Sequence, residues 1–334
     1  MESKQAPHIG ILGSGSWATA LVKIFSENTY RLNWYVRSEE KLKHIRAFRH
    51  NPQYLASVSI DLEKVALYQE LLAFIRASDI LVVAIPAAFI HQTLESIPAE
   101  EFEKKWVVSA VKGIIPEFHA IPARYFHKSF SIPYDRIGLI CGPCHAEEIA
   151  LERLSYLTVG SENKEIRNTL AQNMRSHYLR VNESDDLFGS ELAAILKNVY
   201  AIASGICSGL GYGDNFQAII VSNAMQEISR FLEAVHPIRR DVYSSAYLGD
   251  LMVTCYSKFS RNRTFGYMIG KGYTLKSAQL ELGMVAEGYY AVASLMEINK
   301  KFQIELPILQ AVYRILYAHS PVKKTIESLT LDLH

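Results

Sequence analysis

The sequence predicts an α/β fold, a doubly wound and mainly parallel sheet, followed by an all-α domain. Three observations predict it. Short apolar runs alternate with helix-like segments over about the first 180 residues, the pattern of a parallel sheet flanked by helices. The first of these runs opens directly onto a glycine-rich turn. From Phe188 onward, strand-like runs largely disappear.

In order, HIGIL (8–12) is the first strand, followed by GSGSWATAL and a helix. NWYV (33–36) is the next strand, and EEKLKHIRAFRH after it reads as an exposed helix. DILVVAIP (79–86) is apolar throughout, as a strand covered on both faces must be. WVVSAVKGI (106–114), RIGLICGP (136–143), LSYLTVG (154–160) and YLRVN (178–182) complete the strands. AAFIHQTLESI, HAEEIALER and NKEIRNTLAQNM are the helical segments between them. Right-handed crossovers make the doubly wound topology the natural one. The polar VNESDD stretch marks a boundary, giving domains 1–187 and 188–334. In the second, FGSELAAILKNVYAIASGI, FQAIIVSNAMQEISRFLEAV and TLKSAQLEL carry helical spacing.

At 334 residues, two domains are the expectation, and 49% hydrophobic residues supply two cores. Lys and Arg total 35 against 34 for Asp and Glu, a net charge of +1. That balance argues against nucleic acid or an anionic membrane surface as partner. The N-terminus lacks a signal-peptide pattern. The most apolar stretch, LAAILKNVYAIASGICSGLGYG, is interrupted by Lys197, Asn198 and glycines, short of the ~20 apolar residues of a membrane span. A soluble cytoplasmic protein without integral membrane contact is expected. The eleven histidines fall at no metal-ligand spacing, so no metal is expected.

The glycine turn reads Gly13-Ser14-Gly15-Ser16-Trp17-Ala18. Its first glycine permits the tight turn, its second lets a pyrophosphate approach the backbone, and Ala18 keeps helix and strand close. A phosphate then sits on the amides at the helix N-terminus. In place of an acidic residue ending the second strand stand Arg37 and Ser38. A guanidinium there suits a 2′-phosphate, so NADP(H) is expected to be accepted, with NAD(H) open because Glu39 and Glu40 follow.

Ligands of such sheets bind beyond the carboxyl ends of the strands, where Lys112 and the CGPCH stretch (141–145) fall. CGPCH matches both a C-x-x-C redox pair and a C-x-x-C-H haem attachment site. Lys197 lies among apolar and small residues of a helix, where desolvation lowers an ammonium's pKa toward general acid–base use; an exposed helical stripe is the alternative. The stretch GDLMVTCYSKFSRNRTFG (249–266) gathers Asp250, Thr254, Ser260, Arg261, Asn262 and Arg263, a composition suited to phosphate or to a solvated loop.

Taken together, GSGSWATAL, NPQYL, VVAIP, SAVKGI, GPCHAEEIA, LKNVYAIASGICSGLGYGDNFQA, GDLMVTCYSKFSRNRTFG and VAEGYY resemble, in that order, the bacterial-type NAD(P)-dependent glycerol-3-phosphate dehydrogenases. The resemblance covers essentially the whole chain. It implies a Rossmann domain and a helical substrate domain, interconverting dihydroxyacetone phosphate and sn-glycerol 3-phosphate and supplying the latter for phospholipid synthesis. It implies Lys197 as general acid–base, with Lys112, Asn198, Asp250 and Thr254 around the reacting carbons. Ser260, Arg261 and Asn262 would hold the substrate phosphate, with Gly142 and Cys144 nearby. Gly13, Gly15, Ser16, Trp17, Arg37, Lys112, Ala146, Arg261, Val285 and Glu287 would contact the cofactor. Cys144 stands where the family usually has Ser or Thr, and Tyr247 where it has Gly. CGPCH is then a substrate-edge loop, with a reversible Cys141–Cys144 disulfide as a separate hypothesis. A homodimer is compatible with the helical domain. Two other functions remain open: a related hydroxy-acid or sugar-acid dehydrogenase, and a non-catalytic NAD(P)-sensing protein.

Overall fold

The computed structural model describes residues 6–29, 31–283 and 286–334. It divides into two compact units. A sheet unit comprises the chain up to Ile85 with Phe89–Val111 and Pro122–Leu187, and a helical unit comprises Pro86–Ala88, Lys112–Ile121 and Phe188–His334.

Among the described residues of the sheet unit, eight strands form one sheet: β1 (Ile9–Leu12), β2 (Leu32–Tyr35), β3 (Val65–Tyr68), β4 (Ile80–Val83), β5 (Trp106–Ser109), β6 (Ile137–Cys141), β7 (Ser155–Gly160) and β8 (Leu179–Ser184). Their order is β3-β2-β1-β4-β5-β6-β7-β8. All pairings are parallel except β6 with β7. Between them run α1 (Ser16–Asn28), α2 (Glu39–Phe48), α3 (Leu71–Arg76), α4 (Ile90–Leu94), α5 (Pro122–Phe130), α6 (Ala146–Ala150) and α7 (Lys164–Met174). β1, β2, β4 and β6 are buried along their whole length, which is why they read as apolar runs, broken in β2 only by the hydrogen-bonded Asn33.

The sheet is mainly parallel, as the sequence predicts, and two features add to that reading. β3 (VALY) is an additional edge strand, half-exposed beyond its first residue and therefore without a core signature. The β6–β7 pair is antiparallel, which an apolar run cannot reveal because burial on both faces has no direction.

The strand order reverses at β1. Leu12 pairs with both Tyr35 and Val83, so the carboxyl ends of β1, β2 and β4 are level. The glycine turn thus leaves the sheet at its topological switch point, the usual ligand crevice of such folds.

The helical unit contains α8 (Leu187–Gly209), α9 (Asp214–Val235), α10 (Asp250–Tyr256), α11 (Arg261–Gly270), α12 (Leu275–Leu282), α13 (Glu287–Phe302), α14 (Pro307–Leu316) and α15 (Val322–Leu329). The polar 249–266 stretch is therefore two helices and not a loop. A π-helical turn, Ser245–Gly249, runs into α10, and Ser260 caps α11 by accepting from the Arg263 amide.

α8 and α11 touch backbone to backbone. A Cβ on Gly205 would lie 2.0 Å from the Arg263 carbonyl oxygen, and one on Gly266 would lie 2.1 Å from that of Ile202. Gly209 and Gly270, one turn further along each helix, are similarly closed, 2.4 Å from Tyr267 O and 2.3 Å from Ile206 O. Glycines four apart on both helices let the axes approach, which brings the start of α11 close to the middle of α8. By length and composition α8 could cross a membrane, contrary to the sequence expectation, yet 94% of its apolar window is buried inside the protein.

Candidate active site

The sheet unit's candidate site is the turn between β1 and α1. Gly13 has φ +131, and a Cβ there would meet the Ala84 carbonyl oxygen at 2.5 Å, so only glycine fits. Gly15 is the N-cap of α1, and a Cβ on it would have nothing within 4 Å. Open space therefore lies against a helix N-terminus whose first amides have no intrahelical acceptor. Ser16 and Trp17 begin α1. The Trp17 indole Nε1 is buried and finds no acceptor among the described residues. A backbone cradle of this kind at a helix N-terminus is what a dinucleotide pyrophosphate fits.

Arg37 is exposed just past β2, and Ser38 is committed to capping α2 through the Lys41 amide. After β6, Gly142 has φ +117, where a Cβ would meet the Tyr156 carbonyl oxygen at 3.2 Å. Cys144 is buried, with its thiol toward the His145 carbonyl. Ala146 opens α6. All four cysteines are buried thiols, and the Cys141–Cys144 pair forms no disulfide.

The helical unit gathers residues far apart in the chain. Asp250, 1% exposed, accepts from Lys197 on Oδ1 and from Lys112 on Oδ2, the latter at 3.5 Å. Lys197 is 4% exposed, which decides between a buried lysine and one on an exposed stripe. Asn198 donates its side-chain amide to the Lys112 carbonyl oxygen at 2.7 Å, fixing the backbone that carries the second lysine. The Thr254 hydroxyl donates to the Asp250 carbonyl oxygen at 2.5 Å.

Burial pulls the Lys197 ammonium down from lysine's ordinary range to about 7, with Asp250 opposing and Lys112 adding to the fall. Two ammonium groups share one carboxylate, an arrangement stable only while all three remain.

Glu287 starts α13 and accepts from the Ala87 amide at 3.3 Å. Burial raises its pKa, against the opposing pull of Arg261, the Ala87 amide, Lys112 and Lys197. Arg261, at the start of α11, is exposed. Asn262 is buried, its Oδ1 accepting from the Gly288 amide at 2.9 Å. A Cβ on Gly288 would lie 2.7 Å from the Asn198 carbonyl oxygen, so α8, α11 and α13 converge here. Three cations, Lys112, Lys197 and Arg261, face two carboxyl groups, Asp250 and Glu287, so the cations are in surplus.

Lys112, Lys197, Asn198, Asp250, Thr254, Arg261, Asn262 and Glu287 are thus brought together in one unit. Val285 lies outside the described residues. Among the described residues, no group of three or more His, Cys, Asp or Glu side chains is placed to hold a metal ion. Sequence reasoning missed three buried side chains behind the glycine turn, Thr19, Trp34 and Asn51. Asn51 begins the NPQYL motif, the one available signal, but the motif alone assigns it no job.

A doubly wound sheet with a glycine turn at its switch point, joined in one chain to a helical unit holding a buried lysine of lowered pKa, defines a dinucleotide-dependent oxidoreductase. Comparison with known proteins narrows the class. The family described as NAD-dependent glycerol-3-phosphate dehydrogenase matches by its N-terminal model over residues 8–167 and by its C-terminal model over 186–327. The glycerol-3-phosphate dehydrogenase [NAD(P)+] of Staphylococcus saprophyticus is 31% identical over 324 residues, 96% of this chain and 97% of that protein. That of Staphylococcus carnosus is 31% identical over 322 residues, with the same coverage of each. The crystal structure of glycerol-3-phosphate dehydrogenase from Coxiella burnetii has a TM-score of 0.90 and 26% identity, covering 97% of this chain and 98% of that one. The chain belongs to the NAD-dependent glycerol-3-phosphate dehydrogenase family.

Proposed function

We propose that the protein interconverts dihydroxyacetone phosphate and sn-glycerol 3-phosphate using NADP(H) or NAD(H). The observation that carries this reading is the Lys112–Asp250–Lys197 cluster, with Lys197 and Asp250 buried, in a chain of this family. When bound, the dinucleotide supplies or accepts the hydride. Every other task falls to side chains.

In the reducing direction the Lys197 ammonium donates a proton from Nζ to the carbonyl oxygen, and in the oxidising direction its neutral amine takes the hydroxyl proton. A pKa of about 7 keeps both forms populated near neutral pH. Asp250 holds Nζ in place and balances the proton when it is there. Lys112, held by Asn198 through its carbonyl, adds positive charge where negative charge develops on oxygen. Thr254 anchors the turn of α10 that presents Asp250. Arg261, with Ser260 and Asn262 at the α11 N-terminus, binds the substrate phosphate, and Gly142 and Cys144 contribute to the substrate edge. The surplus positive charge supports a phosphorylated anion over a neutral alcohol. Binding energy from a phosphate remote from the reacting bond positions the carbonyl.

Gly13, Gly15, Ser16, Trp17, Arg37, Ala146, Val285 and Glu287 are assigned to the cofactor, with Lys112 and Arg261 shared. The same reading makes the enzyme a cytoplasmic source of glycerol 3-phosphate for phospholipid synthesis, acting as a homodimer. Burial of α8 within the protein supports the absence of an integral membrane role.

The test is the fall in NADPH, then NADH, absorbance on adding dihydroxyacetone phosphate to wild type and Lys197→Met. Oxidation by wild type, with kcat reduced about a thousandfold in a folded mutant, is expected. No oxidation by a folded, cofactor-binding wild type would overturn the assignment in favour of a sensing protein.

A further inference from the structure

The backs of the three peptide groups of the glycine turn are all occupied. The Gly13 carbonyl oxygen accepts from the Trp34 indole Nε1 at 2.7 Å. The Ser14 carbonyl oxygen accepts from Asn51 Nδ2 at 3.1 Å. The Gly15 carbonyl oxygen accepts from both the amide and the hydroxyl of Thr19, each at 2.9 Å. The same Asn51 Nδ2 also donates to the Thr19 hydroxyl at 2.9 Å. Asn51 Oδ1 in turn accepts from the amides of Gln53 at 3.1 Å and Tyr54 at 3.3 Å. Trp34, Asn51 and Thr19 are each 0% exposed.

A trans peptide is planar, with the C=O of one residue pointing opposite to the N–H of the next. The described backbone contains no cis bond. Tying the carbonyls of residues 13, 14 and 15 from behind therefore aims the amides of Ser14, Gly15 and Ser16 the other way. Glycine turns are mobile when unsupported, because glycine has the widest choice of φ and ψ. A turn fixed before its ligand arrives does not lose that freedom on binding.

We infer that Trp34, Asn51 and Thr19 are positioning residues that pre-set the Ser14, Gly15 and Ser16 amides for the cofactor pyrophosphate. Asn51 is suited to the task as no other residue is. Its two amide hydrogens reach Ser14 O and Thr19 Oγ1 while its oxygen holds its own segment, so the NPQYL stretch is a strut for the turn. The inference rests on dinucleotide binding as proposed above.

Asn51→Asp keeps the acceptor for Gln53 and Tyr54 but sets an oxygen against the Ser14 carbonyl. Thr19→Val removes the hydroxyl at nearly constant shape, and Thr19→Ser restores it. Binding of NADPH and of ADP-ribose is measured by titration calorimetry on folded protein, together with hydrogen exchange at the three amides and steady-state kinetics. The expected result is a Kd about tenfold higher for both ligands in Asn51→Asp and Thr19→Val. Thr19→Ser stays within about twofold of wild type, and kcat at saturating NADPH is unchanged. The three amides exchange faster in the weakened variants before ligand is added. If Asn51→Asp does not fold, Thr19→Val against Thr19→Ser carries the test. Folded variants that bind within about twofold of wild type, with unchanged exchange, would overturn the inference while leaving the proposed function intact. A wild type that binds neither ligand would remove both.

Discussion

The glycine turn after β1 and the charged cluster of the helical unit are built from opposite materials. In the turn, backbone amides face the open space and side chains stand behind, each holding a carbonyl. In the cluster, backbone stands behind, as where the Lys112 carbonyl is held by Asn198, and charged side chains meet each other. The turn has no ionisable group and can only bind. The cluster contains a lysine whose proton is labile near neutrality and can take part in chemistry. Proton chemistry thus belongs to the side-chain cluster alone, and the two regions respond differently to substitution.

The largest effect expected from breaking this contrast is at Asp250. Asp250→Asn leaves the buried Lys197 and the part-buried Lys112 around a neutral amide, costing about 3 kcal/mol of stability, read by urea titration. It also removes the partner that sustains the Lys197 ammonium, so the reducing activity of the folded fraction falls by roughly a hundredfold or more. The glycine turn has no part in that charge balance, so any change in dinucleotide affinity comes through Lys112, which the proposed cofactor site shares. Retained activity would mean Asp250 is only a packing residue.

The smallest effect, and the one that sharpens the contrast, is at Arg37. Its side chain is exposed, so Arg37→Ala is expected to leave stability within about 0.5 kcal/mol. NADPH affinity falls about tenfold and NADH affinity is unchanged, by paired titrations. Equal loss for both cofactors would show that Arg37 does not read the 2′-phosphate.

The same contrast explains what was legible in the sequence. A backbone site imposes residue types at fixed short spacing, so Gly13, Gly15 and Ala18 announce it. The struts behind it do not: Trp34 reads as one more apolar strand residue, and Asn51 as a turn former. In the cluster, Lys197 stands out against an apolar helix, but Asp250 lies 53 residues from it and Lys112 lies 138 from Asp250. Only the family resemblance drew them together. The polar stretch 249–266 concealed α10 and α11 because its polar residues serve as caps and interior partners, which blurs the apolar stripe. β3 was invisible for a simpler reason: a four-residue edge strand, mostly half-exposed, buries too little to leave a pattern.

The central claim is that Lys197 carries the proton, and the pH dependence of kcat in both directions tests it most directly. A lysine lowered by burial to about 7 is charged below that pH and neutral above it. Oxidation of sn-glycerol 3-phosphate, which needs the neutral amine, is predicted to rise through about pH 7 and then level. Reduction of dihydroxyacetone phosphate, which needs the ammonium, is predicted to fall through the same region. Mirror-image limbs in wild type, absent from the residual activity of Lys197→Met, are the expected result; profiles that run parallel in the two directions, or that survive in Lys197→Met, would contradict the account.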